Sequence, residues 1–435
     1  MLDIKFIREN KDLIALAIKN KKVKEKVDLD KMIALFDERQ NLKKEIDELN
    51  HKRNEAARQR LIEEGSRLKK ELAELEKKFE AVSQKFMSLM LLIPNVPSPD
   101  TPVGEDETHN KVLRQWGTPR QFDFQPKNHM GLGVSLGLIN NERAALVSGT
   151  RFSYLKGDLV LMQFALINYA FSILTNKKKL EEIAQAAGLN IKVTPFVPII
   201  PPVMIKPAVL NRMARLEPRD ERYHIPTDDL YLIGSAEHSI GPMHMDETFE
   251  EADLPVRYVG YSTAFRREAG SYGKDTHGIF RVHQFDKMEM ETFCLPENSF
   301  QEQEFLVAIQ EYLVKSLNLP YQAVILCTGD MGLPDYRQID IETWMPSEGR
   351  YRETHSADLV TSFQPRRLNT KVKRSDPSAG GAGDRAEPVH MNDATVFAGR
   401  TLIAILENYQ CADGTVEIPE VLRSYMGKNS IGHER

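Results

Sequence analysis

Apolar residues recur from Leu68 at Leu72, Leu75, Phe79, Val82, Phe86 and Leu89, at alternating spacings of four and three. That period keeps one stripe of a helix turned toward a partner and predicts a coiled-coil seam. Met32, Leu35, Leu42, Ile46, Leu49 and Ala56 supply a companion seam, interrupted by Arg39 and Arg53. Between the seams Gly65 breaks the pattern, and Ser66 is placed to cap a second helix. So short a break predicts an antiparallel hairpin of two helices. About 30 residues at 1.5 Å each give an arm of roughly 45 Å. Pro94, Pro97, Pro99 and Pro102 then end it in an extended linker.

After Trp116 the pattern turns to mixed helix and strand. Leu159 to Leu174 reads as a mostly apolar helix, and Lys179 to Ala187 as an amphipathic one stopped at Gly188. Thr194 to Pro207, with five prolines, is extended. Strand-like runs follow at Leu230–Ile233, Val256–Arg267, Ile279–Glu291 and Ala323–Cys327, with helices over about Gln301–Leu317 and Arg400–Gln410. A loop rich in Gly, Ala and Ser interrupts the last third at Ser375–Gly383, and no internal repeat is visible.

The 435 residues fit two or three domains, each able to bury a core. Cys294, Cys327 and Cys411 lie far apart, which excludes a disulfide framework and a Cys-based zinc site. With no apolar run of about 18 residues and a charged N-terminus, the expectation is a cytoplasmic protein with no membrane association. The net charge of −5 argues against a nucleic-acid partner until it is divided along the chain. Residues 1–95 carry +4 and the remainder −9; within 51–70 seven basic residues, Lys52, Arg53, Arg58, Arg60, Arg67, Lys69 and Lys70, face three acidic ones. Positive charge is thus concentrated at the arm's tip, where a polyanion would bind; a solvated helix surface is the alternative.

Chemistry is concentrated in Phe265-Arg266-Arg267-Glu268, a loop holding Gly270, Gly273 and Gly278, and the run from Arg281 to Glu289. Strand alternation puts Arg266 and Glu268 on one face, and Arg281, Phe285 and Glu289 on one face of the returning strand. Phe280, Val282, Met288 and Met290 fall opposite, toward a core. Arginine forks, an aromatic plate and carboxylates suit a nucleoside triphosphate plus an amino acid; a salt-bridged exposed sheet is the alternative. In Arg352-Glu353-Thr354-His355-Ser356, Glu353 and Ser356 could share a hard cation, or the stretch is a surface turn. Asn392-Asp393-Ala394-Thr395 precedes Ala398-Gly399-Arg400, where small residues would let a helix N-terminus approach a ligand. His224, His238 and His244 have no Cys partner and read as polar loop residues, so no zinc is expected. His283 reads as a supporting hydrogen-bond residue.

The segment from Phe265 to Gly273, the run from Arg281 to Glu289, and Gly399-Arg400-Thr401-Leu402 through Gln410 resemble motifs 2 and 3 of bacterial-type seryl-tRNA synthetases. Pro201-Pro202 is similar to motif 1, the homodimer contact of that class II family. The resemblance runs end to end, from Met1-Leu2-Asp3 through the arm to Pro419-Glu420-Val421-Leu422-Arg423. It implies an α+β fold: a class II antiparallel-sheet catalytic domain over 109–435, and a tRNA-binding domain with coiled-coil arm and linker over 1–108. It implies ATP-dependent activation of L-serine and its transfer to tRNA(Ser), and also to tRNA(Sec), with Mg2+ as cofactor. ATP contacts then fall to Arg266, Glu268, Arg281, Val282, Phe285, Glu353, Ser356 and Arg400. Arg266 and Arg400 carry the catalytic charge, Phe285 and Arg400 sandwich the base, and Glu353 with Ser356 ligates magnesium. Ser235, Glu237, Arg266, Glu289, Asn392 and Ala394 hold serine, and Lys52, Arg53, Arg58, Arg60 and Arg67 meet tRNA.

Several positions depart from the family pattern. Ser235 replaces the usual Thr, His355 and Asp358 are unusual in the magnesium stretch, and Asn392-Asp393-Ala394 replaces Asn-Gly-Ser/Thr. Ala394 stands where the family senses the substrate hydroxyl; losing one neutral hydrogen bond costs about 0.5–1.5 kcal/mol. Thr395 compensates if the chain shifts by one residue, and Asp393 replaces a glycine whose positive φ, if required, would cost more. Two alternatives therefore stand beside a serine ligase: a paralogue of altered amino-acid specificity, and a catalytically weakened tRNA-binding protein.

Overall fold

The computed structural model describes residues 1–269, 278–375 and 386–432. Gly270, Gly273 and most of the glycine-rich stretch 375–383 lie outside the described residues. The chain divides into two compact units, residues 1–96 and 97–435. The division falls within the proline-rich linker, between Val96 and Pro97. Residues 97–108 join the second unit because the Ser98 amide bonds to the Tyr336 carbonyl at 2.7 Å, Asp100 meets Arg337 at 2.8 Å, and the Thr328 amide bonds to the Pro102 carbonyl.

In the first unit, α1 (Leu29–Arg58) and α2 (Ile62–Met90) form the hairpin. Its seam is the expected one: Met32, Leu42, Ile46, Leu49 and Ala56 are buried, as are Leu68, Leu72, Val82 and Phe86. Arg39 interrupts the seam without breaking it. Its guanidinium lies 5.2 Å from the Phe79 ring centroid and its Nε donates to Ser83 Oγ, so the long stem covers apolar surface. The reversal differs from the expectation at Gly65. The turn is Gln59–Leu61, made by Arg60 at φ 58°, while Gly65 and Ser66 lie inside α2. A glycine costs only about 1 kcal/mol in a helix, so it does not force a break. Arg58, Arg60 and Arg67 are exposed at this end, with Lys52; Arg53 is partly covered.

The second unit is built on one sheet of eight strands: β1 (Lys111–Trp116), β2 (Val197–Ile199), β3 (Val256–Phe265), β4 (Gln284–Cys294), β5 (Tyr321–Ile325), β6 (Arg337–Met345), β7 (Arg350–Thr361) and β8 (His390–Ala398). Their order is β1-β5-β6-β7-β8-β4-β3-β2, antiparallel throughout except β2 against β3. Helices α3 (Asp158–Leu174), α4 (Lys177–Ala186), α5 (Ser299–Ser316) and α6 (Gly399–Asn408) share a core with the sheet residues Met288, Met290, Ile339, Ile341, Ala357 and Ala394. Among the described residues no single helix is long and apolar enough to cross a membrane.

Strands β6, β7 and β8 escaped the sequence reading, which took parts of them as turns. Their second face is polar, as in Asp340, Ser356, Asp358, Asp393 and Thr395, yet Ser356, Asp358 and Thr395 line a cavity, and Asp340 and Asp393 are buried. A half-apolar strand whose polar face is also buried gives no usual inside–outside signal. Pairing of β7 with β8 stops at Ala357 opposite Ala394. Beyond it the carbonyls of Ser356 and Thr395 are both held by Gln310 Nε2 of α5, at 2.7 and 2.8 Å. The strands part there, and the opening faces the cavity.

Candidate active site

The β3–β4 hairpin closes at Phe265 opposite Gln284. Arg266 follows directly; its amide bonds to the His283 carbonyl, its Nε donates to the Gly234 carbonyl at 3.0 Å, and its guanidinium lies over Phe285 at 5.5 Å. Glu268 has φ 52°, a left-handed backbone that non-glycine residues rarely adopt. Arg151 holds its carbonyl at 3.0 Å and Arg281 meets its carboxylate at 3.3 Å. His283 takes the supporting role, with Nδ1 on the Arg266 carbonyl.

The returning strand starts at Gln284, five residues later than the apolar pattern suggested. Alternation therefore does not extend back to Ile279, and Phe280 and Val282 are not confined to the core face. Both line a cavity of about 620 Å³ together with Arg281 and Phe285. Arg352 and Arg400 lie over the Phe280 ring at 4.0 and 4.6 Å, so the ring beneath Arg400 is Phe280.

One end of this cavity is positively charged. Arg222, Arg266, Arg281 and Arg400 line it beside Ala398 and Gly399, the start of α6. That helix has no side-chain cap, so its first amides are available to an anion. Burial, then the fields of Arg266 and Arg215, lower the Arg222 pKa to about 10. Burial disfavours the charged form of Glu353, but Arg400, 2.9 Å from its carboxylate, outweighs this and holds it below the ordinary value. Ser356 bonds to Asp358 and Gln338, and Asp340 pairs with Ser356 across β6 and β7. Glu353, Ser356 and Asp340 are hard oxygen donors of the kind magnesium takes, and a site with few protein ligands suits an ion shared with phosphates.

The other end is acidic. Ser235 Oγ donates to Glu289 Oε1 at 2.8 Å, Thr395 Oγ1 reaches the same oxygen at 3.4 Å, and the Lys287 ammonium pairs with it. Glu237 meets Arg215 at 2.8 Å, and Arg215 also meets Asp358 at 3.9 Å. Burial raises the Glu237 pKa, but Arg215 and a hydrogen bond from Asp393 reverse this and hold it low.

Thr395 reaches Glu289 through a bulge: Met288 pairs with Phe397, but Glu289 pairs with Thr395, leaving Val396 over. The bulge places the Thr395 hydroxyl, and not Ala394, beside Glu289. The same register puts Ala394 in the core opposite Met290 and Ala357, and Asn392 beside Cys294. Neither lines the cavity, and Ser235 and Glu289 also lie behind its wall, where they contact the lining residues Lys287 and Thr395. Asp393 has ordinary extended backbone inside β8, so the anticipated positive φ does not arise. His355 is also on the far face, bonded to Thr354, and burial takes its pKa down to about 4.

Two lining residues had different visibility. Lys287 sits two positions before Glu289 and alternation would have found it. Arg215 had no local signal, since it reaches Glu237 only through the folded chain. The three histidines are otherwise engaged: His224 with Asp229, His238 with the Gly234 amide, and His244 with Glu247 and Tyr258.

A sheet of this order, with an arginine-bearing hairpin and an uncapped helix flanking one cavity, defines a class II aminoacyl-tRNA synthetase core. Residues 222–409 match the model of the tRNA synthetase class II core domain shared by the G, H, P, S and T enzymes, and residues 1–97 match the seryl-tRNA synthetase N-terminal domain. The chain belongs to the seryl-tRNA synthetase family. It is 38% identical to a serine–tRNA ligase of Symbiobacterium thermophilum, over 98% of each chain, and 37% identical to one of Thermodesulfovibrio yellowstonii, over 99% of this chain and all of the other. The crystal structure of seryl-tRNA synthetase from Pyrococcus horikoshii complexed with ATP covers both chains fully, at a TM-score of 0.85 and 36% identity. The serine–tRNA ligase of Naegleria fowleri in complex with AMP gives 0.81 and 29%, covering all of this chain and 99% of the other.

Proposed function

We propose that the protein activates L-serine with ATP to seryl-adenylate and transfers the seryl group to tRNA(Ser). The observation that carries this reading is a single cavity joining the Arg266–Phe285 stack to Glu237, Lys287 and Thr395, the last two of which contact Glu289. A triphosphate lies along Arg266, Arg281, Arg400 and the start of α6, with its base against Phe285 or Phe280 and its edge toward Glu268. Glu289 takes the serine ammonium, with Ser235 and Glu237 beside it.

The serine carboxylate then attacks the α-phosphorus in line, and the bond to the bridging oxygen breaks as pyrophosphate leaves. No protein nucleophile is needed; position and charge neutralisation lower the barrier. Arg266 orients the α-phosphate, while Arg281 and Arg400 neutralise the departing charge. Magnesium bound by Glu353 and Ser356, with Asp340 beside them, would add neutralisation of the phosphate oxygens.

The tRNA partner meets the basic tip of the arm at Lys52, Arg53, Arg58, Arg60 and Arg67. A homodimer forms around Pro201-Pro202, where Val197, Ile200 and Met204 are exposed apolar residues. The cytoplasm is the place of action. Serine-dependent exchange of pyrophosphate into ATP tests activation, and charging of tRNA(Ser) and tRNA(Sec) transcripts tests transfer. Absence of exchange with every amino acid would sink the reading.

A further inference from the structure

The acidic end of the cavity continues below Glu289. Glu291 pairs directly with Asp393 across β4 and β8, and Asp393 pairs directly with Asp358 across β8 and β7. Residues directly opposite in a ladder point to the same face, and Asp358, which lines the cavity, fixes that face as the cavity side. Three carboxylates thus form one rung across three adjacent strands, all buried, and Asp358 lines the cavity itself. Glu237 overlies the rung, hydrogen-bonded to Asp393.

Like charges directly opposite each other in a sheet are destabilising, and the cations at hand do not balance a fully ionised rung, so burial favours the protonated forms of Glu291, Asp393 and Asp358 until a cation is supplied. Arg215 is in contact with Glu237 and Asp358, and Lys287 with Glu289. Glu291 is 1% exposed, and neither of its carboxylate oxygens has a hydrogen-bond partner. A buried carboxylate without a donor is unfavourable unless something fills the place. Among the described residues no three carboxylate, thiol or imidazole side chains are placed closely enough to hold a metal ion. An ammonium group, which needs only hydrogen-bond acceptors at its three protons, does fit.

We propose that the amino-acid pocket accepts, in addition to serine, a small amino acid whose side chain ends in an ammonium group, held by Asp358 and Glu237, which line the cavity, with Asp393 and Glu291 on the same rung behind them. The inference rests on adenylate formation at this site and concerns only the side chain taken. The step is the same: a carboxylate oxygen of the diamino acid bonds to the α-phosphorus, pyrophosphate leaves with the bridging-oxygen electron pair, and the side-chain ammonium keeps its protons. Asp393 adds a carboxylate to this face of β8, while Ala394 faces the core.

The test is ATP–pyrophosphate exchange by the full-length protein with L-serine, L-2,3-diaminopropionate, L-2,4-diaminobutyrate and L-alanine. The expected result is exchange with at least one diamino acid at a kcat/KM at least tenfold above that with alanine. Asp393→Gly and the near-isosteric Asp393→Asn are expected to reduce the diamino acid rate at least tenfold relative to the serine rate in the same variant. Exchange with serine but none above background with either diamino acid overturns the inference and leaves the serine reading standing. Equal loss for serine and diamino acids in Asp393→Asn also overturns it. Exchange with no amino acid overturns both. Should the variants fail to fold, a rise in the wild-type unfolding temperature with 2,4-diaminobutyrate and not with alanine supports the inference, and its absence overturns it.

Discussion

Ser235 and Glu289 are hydrogen-bonded at 2.8 Å although 54 residues separate them, and neither is accessible from outside the cavity. The carboxylate is the charged member, and the hydroxyl only orients it. Ser235→Ala therefore removes one hydrogen bond, worth about 0.5–1.5 kcal/mol, and raises KM for serine roughly 3- to 10-fold. Glu289→Gln removes the charge that balances both the substrate ammonium and Lys287, and its loss in kcat/KM is at least about tenfold larger. Pyrophosphate exchange at varied serine measures both; equal effects would contradict the assigned roles.

On the proposed reading the arm's basic tip serves tRNA and not adenylate formation. Replacing Arg58, Arg60 and Arg67 together by Gln leaves serine-dependent exchange unchanged and lowers tRNA charging. It also flattens the dependence of log affinity on log salt by about two to three units, about one per lost phosphate contact. Binding titrations across salt concentrations read this slope.

Asp393 ties stability to pH. Burial, then the fields of Glu237 and Asp358, push its carboxyl well above the ordinary range, so the native state keeps a proton that the unfolded chain releases. Stability from this group is therefore lost as pH rises from about 3.9 toward the raised native value. Asp393→Asn removes that penalty and keeps a donor toward Glu237. The variant is expected to melt a few degrees higher than the parent at pH 8, with the difference vanishing near pH 4. Thermal unfolding over that range checks the sign.

Gln310 holds the carbonyls of Ser356 and Thr395 where β7 and β8 part. Gln310→Leu fits a similar volume but leaves two buried acceptors unmet, at about 1–3 kcal/mol each. A fall in unfolding temperature accompanied by weaker amino-acid binding is expected, because Thr395 itself reaches Glu289. Calorimetry and exchange kinetics on one preparation measure both.

The seam from Leu68 to Leu89 was legible because each position of a two-helix hairpin has one partner face, and a period of 3.5 states it directly. The charge division, the Arg266 and Arg400 motifs and the family resemblance were equally local. What the sequence could not carry was the burial of the polar face of β6, β7 and β8, since a polar residue facing a cavity and one facing water look alike in a pattern. The reversal at Arg60 instead of Gly65 is a similar case, decided by where the seams run out. Most of the acidic floor is a matter of register: the bulge after Met288 decides that Thr395 meets Glu289 and that Ala394 faces the core. Strand alternation reverses with every inserted residue, so residue types alone determined that this chain would bind ATP-like chemistry beside carboxylates. Only the tertiary pairing decided which carboxylates stand together.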